Sequence, residues 1–484
     1  MARPSRLAWG LLLVAAAGCA SPAPLRAGGP PATLELTPCP VAGSETPALC
    51  GRYPVFEDRA ARSGRMIGLK VLVLPALTDP AAPDPVVVLA GGPGVAAASG
   101  VTGAVARFFA PIRRQRAVVF VDQRGTGASG PLQCRLVAGG NPFGDLLPAD
   151  RIRACRETLE ARANLRLYTT PIAMDDLDDV RAALGHATVN LYGVSYGSLA
   201  ALQYLRQHPA RVRSLTLVGV ATPAQKLPLH FAGGAQAAMD RLIADCTADP
   251  ACRRAFPDVR ADLDATLARF AAGPVSVDLP AAGGRAAERV SLSRAVFVER
   301  LRLMLYDLWS ARRVPLVLNH AARGDWAPFV QATRPTLTGT TTGFAMGMYP
   351  TVTCAESVPF ITEDEIGRES RGSFVGEDRT RVHVRACREW PRADRPPDFA
   401  APVVSPAPVL MLSGELDPAT PAHYARIAAR HLPNSRQVPI RNAAHVYFDE
   451  CLRDVVADFM SRGSAREVDA SCVEALRRPP FVTS

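Results

Sequence analysis

Lysine is almost missing from this 484-residue chain. Of its 55 basic residues only Lys70 and Lys226 are lysines, and the arginines are scattered without a run of five or six. A net charge of +10 in that form reads as a compositional bias spread over solvated faces, not as a patch for nucleic acid. Metal-binding patterns are missing too. No Cys-x-x-Cys and no His-Glu-x-x-His occurs, so no metal site is expected. Gly125 to Gly130 does match Gly-x-Gly-x-x-Gly. Its glycines do not follow a strand directly, however, and Pro131 and Cys134 interrupt the helix that would receive a pyrophosphate, which excludes a dinucleotide site. The apolar run Leu7 to Ala17 is too short to span a bilayer. What remains is a chain 48% hydrophobic with mean hydropathy near zero, long enough to bury a large core or two lobes of one.

Arg3 and Arg6 precede the short apolar run, which closes on Ala16-Ala17-Gly18-Cys19. Residues 1–18 therefore read as a secretory signal. Small-small-Gly-Cys resembles a bacterial lipobox, which makes Cys19 the expected lipidated residue. Ala16 stands where lipoboxes prefer leucine, so a plain cleaved signal is the alternative. Residues 19–38, Pro/Gly/Ala-rich from Ser21 to Ala32, read as a tether. Of eleven cysteines, ten remain without Cys19 and fall into sequence-near couples. The simplest scheme is Cys39–Cys50, Cys134–Cys155, Cys246–Cys252, Cys354–Cys387 and Cys451–Cys472, as an oxidising compartment favours. Free buried thiols are the alternative.

The most informative stretch is Val189 to Leu199. Strand-like residues run into Gly193-Val194-Ser195-Tyr196-Gly197, and a helical pattern follows from Ser198 to His208, stopped by Pro209. This is the strand, turn and helix that a nucleophile elbow requires. Side chains at Gly193 and Gly197 would collide across the turn. Ser195 Oγ is expected to stand clear at a helix N-terminus.

Before it, Cys39 to Cys50 reads as a turn-rich knot, and 52–58 and 66–75 as early strands. Val86 to Leu89 is a buried-strand run followed by Ala90-Gly91-Gly92-Pro93-Gly94. Glycines there let backbone approach a ligand, so the amides of Gly92 and Tyr196 are the expected oxyanion hole. Asp122 and Arg124 are expected to form an ion pair ordering their loop. Pro171 to Leu184 reads as a helix whose early aspartates, Asp175, Asp176, Asp178 and Asp179, complement its dipole. From about Pro223 strand–helix alternation stops, and 223–400 is mostly helical in pattern, with Ser293 to Ser310 as one helix and Gly/Ala-rich breaks near 272–286. The sheet returns at Pro408 to Leu412, and Asp417 follows at a strand end, where α/β sites form. His445 lies in a short loop after strand Arg436 to Ile440. His423 and His431 lie in a helix and Glu415 misses the strand-end position, so they are weaker candidates. The chain order is Ser195, Asp417, His445. In that set His445 is the base, Asp417 orients it, and Ser195 is the nucleophile. Nothing in it needs a cofactor.

Gly-Gly-Pro-Gly after a strand, Asp-Gln-Arg-Gly-x-Gly-x-Ser, Gly-x-Ser-Tyr-Gly and Gly-Glu-x-Asp-Pro-x-Thr-Pro together resemble the proline iminopeptidase and tripeptidyl aminopeptidase family of α/β-hydrolases. The resemblance covers Cys50 to Cys472. It implies an α/β-hydrolase fold, a mostly parallel sheet flanked by helices, split into 39–222 and 401–484 around a mainly helical cap, 223–400. It implies an exported serine peptidase with a Ser-Asp-His triad, releasing N-terminal residues or short peptides. In that family a cap acidic residue binds the substrate's α-amine, and Glu356 is the corresponding candidate here, beside Cys354. Ala90 stands where proline iminopeptidases have histidine, which removes the ground for strict proline specificity. Carboxylester or amide hydrolysis on the same scaffold, and a non-catalytic binding role, are the other readings. The expected partner is a peptide or a small ester or amide. A membrane enters only through the lipid anchor, after export across the bacterial inner membrane to the envelope, periplasm or medium.

Overall fold

The computed structural model describes residues 34–134, 136, 143–144, 147–280, 287–339, 343–445 and 449–484. The signal segment, Cys19 and most of the expected tether lie outside them. Among the described residues no helix is long and apolar enough to cross a membrane.

Among the described residues nine strands form one sheet: β1 (Thr37–Val41), β2 (Ser44–Asp58), β3 (Ser63–Leu74), β4 (Val86–Leu89), β5 (Val118–Val121), β6 (Val189–Val194), β7 (Val212–Val218), and two late strands. A separate two-stranded hairpin, β8 (Val275–Leu279) and β9 (Glu288–Leu292), brackets part of the Gly/Ala-rich break. The late strands are β10 (Val409–Gly414) and β11 (Ser435–Ile440). The spatial order is β1-β2-β3-β5-β4-β6-β7-β10-β11. The strands from β5 through β11 in that order run parallel, while β1, β2 and β3 are antiparallel additions. Parallel strands covered on both faces need apolar residues at every position, and Val118 to Val121 are all buried. Alternation along β3 shows both cores: Leu69, Val71 and Val73 enter one, Leu72 and Leu74 the other. A third core gathers Ala235, Met239, Phe297, Leu301 and Phe329 away from the sheet.

β7 and β10 are hydrogen-bonded neighbours, with Leu215 opposite Val409. The chain between them therefore leaves the sheet and returns beside its point of departure. That excursion carries the helices used below: Arg294–Met304, Leu308–Ala311, Met348–Glu356 and Asp378–Arg388.

Several expectations are corrected. Cys39 to Cys50 is an antiparallel hairpin, not a knot of turns, because Gly43 at φ 68° closes a tight reversal that pairs Cys39 with Ala48. Thr37 and Pro38 belong to its first strand rather than to a tether. Ser293 to Ser310 is two helices. Asp307 accepts the N–H of Ser310 at 2.9 Å and caps a new helix, which leaves Tyr306 in the break. The ten cysteines pair as expected, with sulfur–sulfur distances from 1.95 to 2.08 Å.

Candidate active site

Ser195 sits between β6 and the helix Tyr196–Gln207 with φ 57° and ψ −124°. A left-handed φ is strained for a residue with a side chain. Its neighbours show why the turn needs glycine. A Cβ on Gly193 would lie 2.4 Å from the Gly197 carbonyl oxygen, and one on Gly197 would lie 2.1 Å from that of Leu89. Ser195 N–H donates to Val218 at 2.8 Å. Ser198 Oγ donates to the Ser195 carbonyl at 2.5 Å and accepts the N–H of Ala221 at 2.8 Å, fastening the elbow to the chain after β7.

Asp417 and His445 come from the loops after β10 and β11, and the fold brings both to Ser195. His445 Nε2 lies 2.9 Å from Ser195 Oγ, and Nδ1 lies 2.8 Å from Asp417 Oδ2. An ionised carboxylate only accepts, so Nδ1 carries the proton and Nε2 is free to accept from Ser195. Burial alone would raise the Asp417 carboxyl. His445 and the donors of Thr420 outweigh it and hold the carboxyl below its ordinary value. Those donors are Thr420 N–H at 2.8 Å and Oγ1 at 2.7 Å, joined by Ala419 N–H at 2.8 Å. Thr420 Oγ1 is also 3.1 Å from His445 Nδ1.

Gly91 lies against the serine, its notional Cβ 3.2 Å from Ser195 Cβ. Gly92, next in the loop, has φ 114°. The same loop is gripped by the excursion: Gly94 accepts the N–H of Ala345 at 2.9 Å, and Ala96 N–H reaches Gly343 at 3.2 Å. Tyr196 is the first residue of its helix, where an N–H has no acceptor within the helix.

Glu356 is buried, at 3% exposure. It accepts the N–H of Thr170 at 2.6 Å and its hydroxyl at 2.8 Å; the same hydroxyl lies 2.7 Å from Tyr196 Oη. Burial pushes the Glu356 carboxyl up to about 7, only partly opposed by Thr170 and by the charge of Arg395.

The expected Asp122–Arg124 pair is not formed. Arg124, fully buried, is bidentate to Asp176 at 2.6 and 2.8 Å. Asp122 instead accepts from Ser99 Oγ at 2.5 Å and Ala128 N–H at 2.9 Å. Asp176 is thus an ion-pair partner, also reached by Arg59 at 2.9 Å, rather than a dipole charge. Thr420 was not among the sequence candidates, although it stands inside the Asp-Pro-x-Thr-Pro motif, and neither was Gly219, whose notional Cβ would fall 2.9 Å from Thr420 Oγ1 and 3.4 Å from Asp417 Oδ2. Nor was Tyr306, whose ring packs edge-on against His445.

A mostly parallel sheet with a serine elbow after one strand, and an acid and a histidine after two later ones, defines an α/β-hydrolase. Residues 84–450 match the alpha/beta hydrolase fold family, and the chain belongs to that family. Among relatives, it is 35% identical over 138 residues to a probable proline iminopeptidase of Streptomyces coelicolor, an alignment covering 28% of this chain and 33% of that protein. It is 26% identical over 242 residues to the serine protease Hip1 of Mycobacterium tuberculosis, covering 45% and 46%. The chain thus spans less than half the length of these two. It is 25% identical over 491 residues to a tripeptidyl aminopeptidase of Streptomyces lividans, covering 90% of this chain and 85% of that one.

Proposed function

We propose that the protein is an exported serine hydrolase of the aminopeptidase type, releasing N-terminal residues or short peptides through an acyl-enzyme on Ser195. The observation that carries this is the continuous hydrogen-bonded line from Ser195 Oγ through His445 to Asp417. As Ser195 attacks the scissile carbonyl, His445 takes its proton and returns it to the leaving amine. Asp417 holds the tautomer and stabilises the imidazolium. The amides of Gly92 and Tyr196 receive the oxyanion, and losing one such donor costs about 3–4 kcal/mol. Water then attacks the acyl-enzyme with His445 again as base.

The names of the relatives support a peptidase. Glu356 is the proposed α-amine anchor. Among the described residues no direct ion pair reaches its buried carboxyl, Arg395 acting on it only through its field, so a substrate ammonium would supply a contacting countercharge. Ester or amide hydrolysis is the second reading, favoured by the fact that both Glu356 oxygens already have a donor in Thr170. Five disulfides support an oxidising compartment, reached by export and retained there by a lipid on Cys19 or as a free periplasmic or secreted protein. The partner is a peptide or small ester or amide substrate, not nucleic acid. A fluorophosphonate probe tests the nucleophile: it should label the wild type and not Ser195→Ala, and His445→Ala should slow labelling. Absence of wild-type labelling would count against the nucleophile and revive the non-catalytic binding reading.

A further inference from the structure

Tyr306 stands in the break between the helices Arg294–Met304 and Leu308–Ala311, and it holds His445 in two ways. Its carbonyl accepts the His445 N–H at 3.1 Å. Its ring meets the imidazole edge-on, with centroids 4.8 Å apart. Tyr306 is itself held from one side. Arg302 Nη1 donates to Tyr306 Oη at 2.7 Å, and the guanidinium lies 5.0 Å from the tyrosine ring centroid. The other two Arg302 nitrogens are taken by Glu299, Nε at 2.9 Å and Nη2 at 2.6 Å, with both residues 2% exposed.

We propose that Arg302 is a positioning residue for His445, acting through Tyr306, and that Glu299 is the anchor that fixes it; this rests on the reading of His445 as the base. A guanidinium is a rigid planar fork. With Nε and Nη2 fixed on one carboxylate, Nη1 points to one place, and Tyr306 Oη is there. Stability alone does not require the arrangement, because a buried ion pair is commonly matched or bettered by apolar residues of similar volume. Glu299 also serves a second arm. Its Oε1 accepts Arg379 Nη1 at 2.9 Å, and Arg379 Nη2 donates to Tyr349 Oη at 3.1 Å. Tyr349 follows the Gly343–Ala345 segment that grips Gly94 and Ala96. One carboxylate therefore orders the segments that touch the base and the oxyanion loop.

The test uses the full chain with Tyr306→Phe, which keeps the ring and the backbone acceptor and loses only the bond to Arg302. Arg302→Met, Arg302→Lys and the Tyr306→Phe/Arg302→Met double variant accompany it. The readouts are melting temperature, kcat and KM on an arylamide, and the downfield proton resonance of His445 Nδ1–H in histidine-labelled protein. The expected result is folded protein, kcat lowered roughly 10- to 100-fold at unchanged KM, a broadened or lost resonance, no rescue by lysine, and a double variant no worse than the poorer single. Folded Tyr306→Phe or Arg302→Met with kcat within twofold of wild type and an unchanged resonance overturns the proposal. Additive losses in the double variant overturn it as well. His445→Ala separates the two questions: wild-type turnover there defeats the base reading, while the resonance in the other variants still reports how the imidazole is held.

Discussion

Thr170 binds Glu356 twice, by its N–H and by its hydroxyl. That hydroxyl also meets the phenol of Tyr196, the residue after Ser195. A buried carboxyl is thereby wired to the elbow. Its folded value, about 7, lies above the ordinary 4.5, so the folded state takes up a proton between those values. The stabilising contribution is complete below pH 4.5 and is lost as pH rises through 7, a change on the order of 3 kcal/mol. Glu356→Gln should therefore gain stability relative to wild type on going from pH 5 to pH 8, measured by urea unfolding at both. A pH-independent difference contradicts this.

Removing the threonine that braces the acid should cost activity. Thr420→Val deletes a hydroxyl bonded to the buried Asp417 carboxylate. Such a charged hydrogen bond is worth about 1.5–3 kcal/mol, so kcat/KM should fall roughly 10- to 100-fold. Thr420→Ser should retain most of it. Steady-state kinetics of the pair decide the point, and equal losses in both variants would count against the hydroxyl.

Gly219 makes room for Thr420, Asp417 and His445. It has φ 58°, and a methyl group would press on Thr420 Oγ1 at 2.9 Å. Gly219→Ala should lose about 1–2 kcal/mol from the left-handed backbone and also lower kcat by displacing Thr420. Loss of stability with full kcat in the folded fraction would show that the threonine yields without consequence.

The Arg124–Asp176 pair is predicted to matter to folding alone. Asp176→Asn leaves a fully buried guanidinium without its countercharge, at a cost of about 3–5 kcal/mol. Urea unfolding should show that loss, while fluorophosphonate labelling per folded molecule should not change. A changed labelling rate would tie this pair to the site.

The elbow was legible because its information is local: strand, two glycines and the start of the helix lie within the eleven residues Val189 to Leu199. The meeting of Asp417 and His445 with Ser195 was legible because a strand end is a recognisable place and the chain order is constrained. Partners across the fold were not. Arg124 announces a need for a carboxylate but not which one, and the four-aspartate helix that carries Asp176 offered a sufficient local explanation in the dipole. Tyr306 was hidden because apolar spacing continues through Leu308, so the break made by the Asp307 cap leaves no gap in the pattern. Thr420 was visible as a motif letter, but its role depends on the approach of His445 from another strand.

The most direct test of the central claim is paired hydrolysis of alanyl and prolyl arylamides with the amine free and acetylated, with Ser195→Ala as the blank. The account predicts cleavage of the free-amine forms alone, with that preference abolished in Glu356→Ala. Cleavage of the acetylated forms as well or better would contradict the aminopeptidase reading and turn attention to esters and amides.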